Sequence, residues 1–163
     1  MSYLRKMKRF AIVASLLAGL SGIQPCMAMA QSRPDGNPIP AIETCANTAD
    51  STFSFSMNFR GATSATGFRP KDNSSSVYVY VTKCAGSPRM FIDGAKNANG
   101  AGAQDCTATT YHANKVGHFR MRSYVYERGF RRARLTAWAE RGPAIVRGLW
   151  SPDSMRSYPE MPH

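Results

Sequence analysis

The chain has 163 residues, 43% apolar and 19% charged, and its 21 Lys and Arg outnumber its 10 Asp and Glu for a net charge of +11. That length and apolar content suffice for one domain-sized core. They exclude a large multidomain enzyme, a collagen-like repeat and a multispan membrane protein.

Residues 1–30 read as an export signal. Arg5, Lys6, Lys8 and Arg9 form a basic start, residues 10–23 an apolar run, and Ala28-Met29-Ala30 the small-x-small pattern that a signal peptidase cuts. Met7 offers an alternative start with the same layout. The run is short and rich in Gly, Ala and Ser for a membrane anchor, and Pro25 before Cys26 argues against a lipoprotein. The mature product is expected to be secreted or extracellular (periplasmic in a Gram-negative cell), with no transmembrane segment after cleavage. Cleavage removes four bases and no acids, leaving 17 bases against 10 acids, net +7. Nine of the 17 fall between Lys115 and Arg147, a concentration that attracts anionic partners. A solvated face with no partner is the plain alternative.

Residues 31–50 hold Pro34, Pro38 and Pro40 and read as an extended leader. The expected β-domain spans 51–151. In residues 52–59, Phe53, Phe55, Met57 and Phe59 alternate with Thr52, Ser54, Ser56 and Asn58, a half-buried strand. Residues 61–76 are polar and turn-rich. Val77, Val79 and Val81 alternate with Tyr78 and Tyr80 in a second strand. Residues 90–92 make a short third, ended by Asp93-Gly94, and β-branched residues in 107–111 suggest a fourth.

The next stretch carries most information. Phe119, Met121, Ser123 and Val125 alternate with Arg120, Arg122, Tyr124 and Tyr126. After a turn at Arg128-Gly129, Ala133, Leu135, Ala137 and Ala139 alternate with Arg132, Arg134, Thr136, Trp138 and Glu140. Paired as a hairpin, the two segments would give one apolar face and one basic-aromatic face. The Ala, Arg and Leu content of 130–141, with a stop at Gly142-Pro143, also fits a helix. Alternation favours strand. Residues 144–150 form a last strand, and Pro152, Pro159 and Pro162 keep the tail, 152–163, out of any sheet interior. The pattern predicts an all-β fold, a small antiparallel β-sandwich of Ig-like or jelly-roll-like arrangement.

Cys45, Cys84 and Cys106 remain after cleavage. An oxidising compartment favours a bridge, and Cys84–Cys106 would close the weak segment between two better strands, a gain of about 3 kcal/mol on the chain-entropy argument. Cys45 would then be free or pair between chains. No zinc spacing occurs, and neither a metal nor a cofactor is expected.

Three segments carry a resemblance: Arg69-Pro70-Lys71-Asp72-Asn73-Ser74-Ser75-Ser76-Val77-Tyr78, then Tyr124-Val125-Tyr126-Glu127-Arg128-Gly129, and Gly148-Leu149-Trp150-Ser151-Pro152-Asp153-Ser154. In these the chain resembles a loosely defined group of small exported β-proteins of Gram-positive bacteria that end in Gly-x-Trp-Ser-Pro-Asp-Ser. The resemblance implies an exported all-β domain and strand structure over 130–141. It implies no activity and carries over no catalytic residue.

The basic-aromatic face is the leading functional candidate. Arg120, Arg122, Arg132 and Arg134 would neutralise anionic groups, while Tyr124, Tyr126 and Trp138 would stack on sugars or bases. Cross-strand cation–π pairing, with Tyr126 facing Arg132 and Tyr124 facing Arg134, explains the same residues without a ligand. The expected function is a non-enzymatic module binding an anionic cell-wall polymer, a glycan or a protein surface, with nucleic acid less favoured. One alternative is a small secreted nuclease or toxin using His112 and His118 as acid and base beside Arg120 or Arg122. Another is a structural or immunity-type protein acting through protein contacts. No Ser-His-Asp set and no phosphate-binding glycine loop is present in the sequence.

Overall fold

The computed structural model describes residues 47–163. The expected export signal, residues 31–46 of the leader and Cys45 lie outside the described residues. The described residues contain no helix and ten strands: β1 (Ser51–Met57), β2 (Thr63–Ala65), β3 (Arg69–Pro70), β4 (Val77–Ala85), β5 (Arg89–Ala95), β6 (Gln104–Asp105), β7 (Tyr111–His112), β8 (Gly117–Met121), β9 (Arg132–Trp138) and β10 (Ala144–Ser151). A four-stranded antiparallel sheet runs β1-β10-β4-β8. A six-stranded sheet runs β2-β9-β5-β6, with β3 also on β9 and β7 on β5. This is the all-β, antiparallel architecture that period-two alternation predicts.

The alternation sorts side chains as expected. Phe53, Phe55 and Met57 of β1, Val77, Val79 and Val81 of β4, and Ala133, Leu135 and Ala137 of β9 are all buried in one core with Trp150 of β10. Phe59, beyond the end of β1, is 67% exposed instead of continuing that row. One strand needs a local exception. Gly148 of β10 lies at a register shift, and a Cβ there would collide with the Tyr80 carbonyl, so only glycine lets β10 approach β4 at this bulge.

The expected hairpin does not form. Residues 117–121 pair with β4 in the four-stranded sheet, while residues 132–138 pair with β5 and β2 in the other. Between them the chain makes a wide turn: Arg128 N–H donates to Tyr124 O, Phe130 N–H to Val125 O and Gly129 N–H to Tyr126 O, each at 3.0 Å. Phe130 is buried against Gly94, where a Cβ would lie 2.8 Å from its ring. Both apolar faces read from the sequence exist; in different layers they bury each other, which a single hairpin cannot do. The 130–141 conflict resolves as strand. The strand expected over 107–111 shrinks to a bridge between Thr107 and Ser123 and the two-residue β7.

The expected Cys84–Cys106 disulfide is absent, and both thiols are free. Cys84 lies opposite Val146 in the four-stranded sheet. Cys106 follows β6 in the other layer, with its sulfur against Gly94 and 4.0 Å from the Arg128 guanidinium. Burial raises the pKa of both thiols, partly opposed at Cys106 by Arg128.

The tail runs along the edge of β8, outside the sheet interior. Glu160 bridges Arg120 in parallel, Arg120 N–H donates to Pro159 O at 2.9 Å, and Met161 N–H donates to Arg120 O at 3.0 Å. His112 N–H of β7 donates to Pro162 O at 2.7 Å. Proline lacks an N–H but keeps its carbonyl, so Pro159 and Pro162 serve as acceptors that tie one sheet to the other. Met161 is fully buried. The edge of β8, which an open tail would have left for pairing with another chain, is covered.

Candidate functional site

Two of the three recognised segments meet at a buried joint. Lys71 and Asp153 are both fully buried, and Lys71 Nζ donates to Asp153 Oδ1 at 2.7 Å, Pro152 O at 2.8 Å and Ser75 O at 2.6 Å. Asp153 Oδ2 accepts the Asn47 N–H at 2.8 Å and the Asp72 N–H at 2.9 Å. Beside the joint, Arg69 sits 5.5 Å from the Trp150 ring centroid and donates to Ala49 O and Trp150 O. Burial lowers the Lys71 pKa, and the facing Asp153 charge opposes that; the charge of Glu127, from the remaining segment, opposes it more weakly. All three of Lys71's protons and both of Asp153's oxygens are engaged. The joint is structural: it locks the 47–49 segment and the 69–76 loop to the end of β10.

A different surface collects cations and aromatics. On the outer side of the six-stranded sheet, His112, Arg89 and Trp138 are register partners in one row. The next outward row pairs Phe91 with Thr136, and the next Asp93 with Arg134. Arg89 lies 4.6 Å from the Phe91 ring centroid and Arg134 4.8 Å from that of Phe68. Arg134 Nε also donates to Asp93 Oδ2 at 2.8 Å, and Thr136 Oγ1 donates to the same oxygen at 2.7 Å. The row ends at Arg132. At about 3.3 Å per residue, the face is about 20 Å long from Arg89 to the level of Arg132. Beyond it a hollow of about 580 Å³ is lined by Lys96, Gln104, Arg128 and Phe130.

The residues expected to form the basic-aromatic face therefore divide. Arg132, Arg134 and Trp138 share the outer face of β9. Arg120 and Arg122 lie elsewhere, beside the tail: Arg120 is half-buried under it, and exposed Arg122 donates to Glu160 at 3.1 Å. Tyr124 and Tyr126 occupy the 124–129 turn, where Arg128 lies 5.9 Å from the Tyr124 ring and Arg131 4.0 Å from the Tyr126 ring. Cation–π pairing is thus real, but neither Tyr124–Arg134 nor Tyr126–Arg132 occurs. His112 and His118 belong to different sheets and are not brought together as an acid–base pair. Sequence reading passed over Arg89 and Phe91, although Arg89, Phe91 and Asp93 alternate with Met90 and Ile92; extending the short 90–92 strand by that pattern would have found them.

Near the tail a cleft of about 490 Å³ lies over the outer side of the four-stranded sheet. Its lining includes Tyr78, His118, Thr48, Asp50, Arg156 and Tyr158. Tyr78 Oη and His118 Nδ1 are 2.7 Å apart. The imidazole stacks on Tyr80 with centroids 4.1 Å apart and planes 4° from parallel, and Tyr158 lies 4.8 Å from Tyr78. Burial, then Asp50 and the neighbouring tyrosines, raises the Tyr78 pKa.

Residues 39–154 match the family described as "Protein of unknown function (DUF2712)". The chain belongs to this family. The match covers both β-sheets and both sides of the Lys71–Asp153 joint, and it ends at Ser154, before Arg156 and Tyr158. No curated protein matches the chain, and no solved structure does. Among the described residues no cluster of His, Cys, Asp or Glu has the composition to hold a metal ion, and no helix is long and apolar enough to cross a membrane.

Proposed function

We propose that this protein is an exported, non-enzymatic module that holds an anionic or carbohydrate-bearing surface outside the cytosol. The contact surface in this reading is the outer face of the six-stranded sheet, with Arg89, Arg132 and Arg134 as cations and Phe91 and Trp138 as stacking groups. The observation that carries it is the direct register of Arg89 with Trp138 and His112 on a half-exposed face. Guanidinium groups resting on aromatic rings and on a carboxylate are oriented before a partner arrives, so less side-chain entropy is lost on contact. Strands hold that geometry more firmly than loops. The basic start and apolar run of residues 1–30 support export, and the resemblance to exported β-proteins of Gram-positive bacteria supports a partner at the cell surface.

Retention of the purified protein on immobilised dextran sulfate tests the reading. The wild type should bind at low salt and elute as salt screens the contact. Arg132→Ala and Trp138→Ala should each elute at lower salt, whereas Arg122→Ala, on the tail side, should behave as wild type. Equal loss in all three variants, or no retention of the wild type at low salt, would remove this face as the contact surface.

A further inference from the structure

We infer that the cleft above Tyr78 and His118 is a second binding site, distinct from the basic face and on the opposite sheet, and that it takes one ring of a neutral sugar. The argument starts from its shape. At about 490 Å³ it falls within the roughly 300–1,000 Å³ typical of small-molecule sites, and it is walled by residues from both ends of the described chain.

Its chemistry is mixed in the way that a polyhydroxyl ring requires. Asp50 supplies a carboxylate acceptor, Arg156 a guanidinium donor, Thr48 a hydroxyl that serves as either, and Ser154 a hydroxyl oxygen that accepts, its proton being given to Arg156 O. Asp50 and Arg156 set one acid against one base, so the cleft lacks the single-signed field that selects a phosphate or sulfate; the second acid, Asp153, is paired with Lys71. Aromatic groups supply the apolar side: Tyr158 and His118 lie 5.9 Å apart, within 17° of parallel, and Tyr80 backs the imidazole. Sugar rings present C–H faces to such plates and hydroxyls to the polar rim.

The Tyr78–His118 contact gives the imidazole a defined role. The Tyr78 hydroxyl and His118 Nδ1, 2.7 Å apart, share a hydrogen bond that fixes the orientation of the imidazole. His118 so held keeps Nε2 for a further hydrogen bond, and it lines the cleft. Tyr78 is thus a positioning residue for His118.

Titration of the full chain with N-acetylchitotetraose and with maltotetraose, followed by the imidazole resonances of His118, tests the site. At least one sugar should saturate, with shifts in those resonances. Affinity should fall about tenfold or more in Asp50→Asn and in Tyr158→Ala. Arg134→Ala, on the opposite sheet, should bind the sugar as wild type does, so this outcome is independent of the polymer-binding test above. Unchanged circular dichroism and melting keep Asp50→Asn interpretable if Tyr158→Ala loosens the tail. Failure of both sugars to saturate, saturation that survives both cleft substitutions, or saturation by inorganic phosphate with neither sugar bound would overturn the inference.

Discussion

Lys71 shows what a buried charge needs in order to be tolerated. Its ammonium has three protons and three acceptors within 2.8 Å, and the partner carboxylate receives two backbone N–H groups on its other oxygen. Desolvation still pulls the Lys71 pKa down. Asp72, next in the chain, is pushed the other way, first by burial and then by the Asp153 charge. Removing one partner leaves the other charge buried and unpaired, which costs about 3–5 kcal/mol. Asp153→Asn and Lys71→Met should each lower the urea midpoint by a corresponding amount. The double substitution should cost less than the sum of the two, since it leaves no orphaned charge. Additive losses in that cycle would mean that the pair is not coupled as described.

At the scale of elements, the tail acts as a clasp between the two sheets. Tyr111 of β7 donates to Glu160 Oε1 at 2.7 Å and accepts the Arg122 N–H at 2.9 Å, and Arg122 Nε reaches the same carboxylate. Tyr111→Phe would orphan the Arg122 N–H and one carboxylate contact, a loss of about 1–3 kcal/mol. Faster amide exchange at Met161 and Arg120 should accompany it, with β4 and β10 unaffected. The clasp is also a pH device with two arms. The Tyr111 pKa is pushed up to about 12 by burial and by its bond to Glu160, so stability holds up to the ordinary tyrosine value of 10 and is lost as pH climbs toward 12. Glu160 is held below its ordinary 4.5, first by the Tyr111 hydrogen bond, so its share of stability is present above that value and lost as pH falls through the lower one. Urea midpoints across pH should show both arms, and Glu160→Gln should flatten the acid one. How much of this was legible in the sequence follows from period two. Alternation reports which side of a strand is oily, so the inward rows of β1, β4, β9 and β10 could be read directly. It does not report which strand is the neighbour. Residues 122–131 carry the chain from one layer to the other through a turn that buries Phe130, and no local signal distinguishes that from a hairpin. Met161 among prolines has no periodicity at all, so the clasp was invisible.

At the scale of the whole molecule, the two sheets turn different chemistry outward. One side presents Arg89, Arg132, Arg134, Phe91 and Trp138 along a row about 20 Å long. The other carries a cleft in which one acid, one base and several aromatic rings converge. Two of the three segments singled out in the sequence, 69–78 and 148–154, build the Lys71–Asp153 joint at the end of β10, and they also lend Tyr78 and Ser154 to the cleft. Of the chain's two tryptophans, Trp150 is fully buried and Trp138 is half-exposed on the basic face. That difference lets the two faces be told apart in solution. A nitrogen–proton correlation spectrum of the full chain, titrated with a sulfated oligosaccharide, should shift the Trp138 indole and the amides of Arg89, Phe91 and Arg134, leaving Trp150, residues 124–128 and the cleft unmoved. Shifts centred on the 124–128 turn or on His118, with Trp138 unchanged, would contradict the basic face as the contact surface.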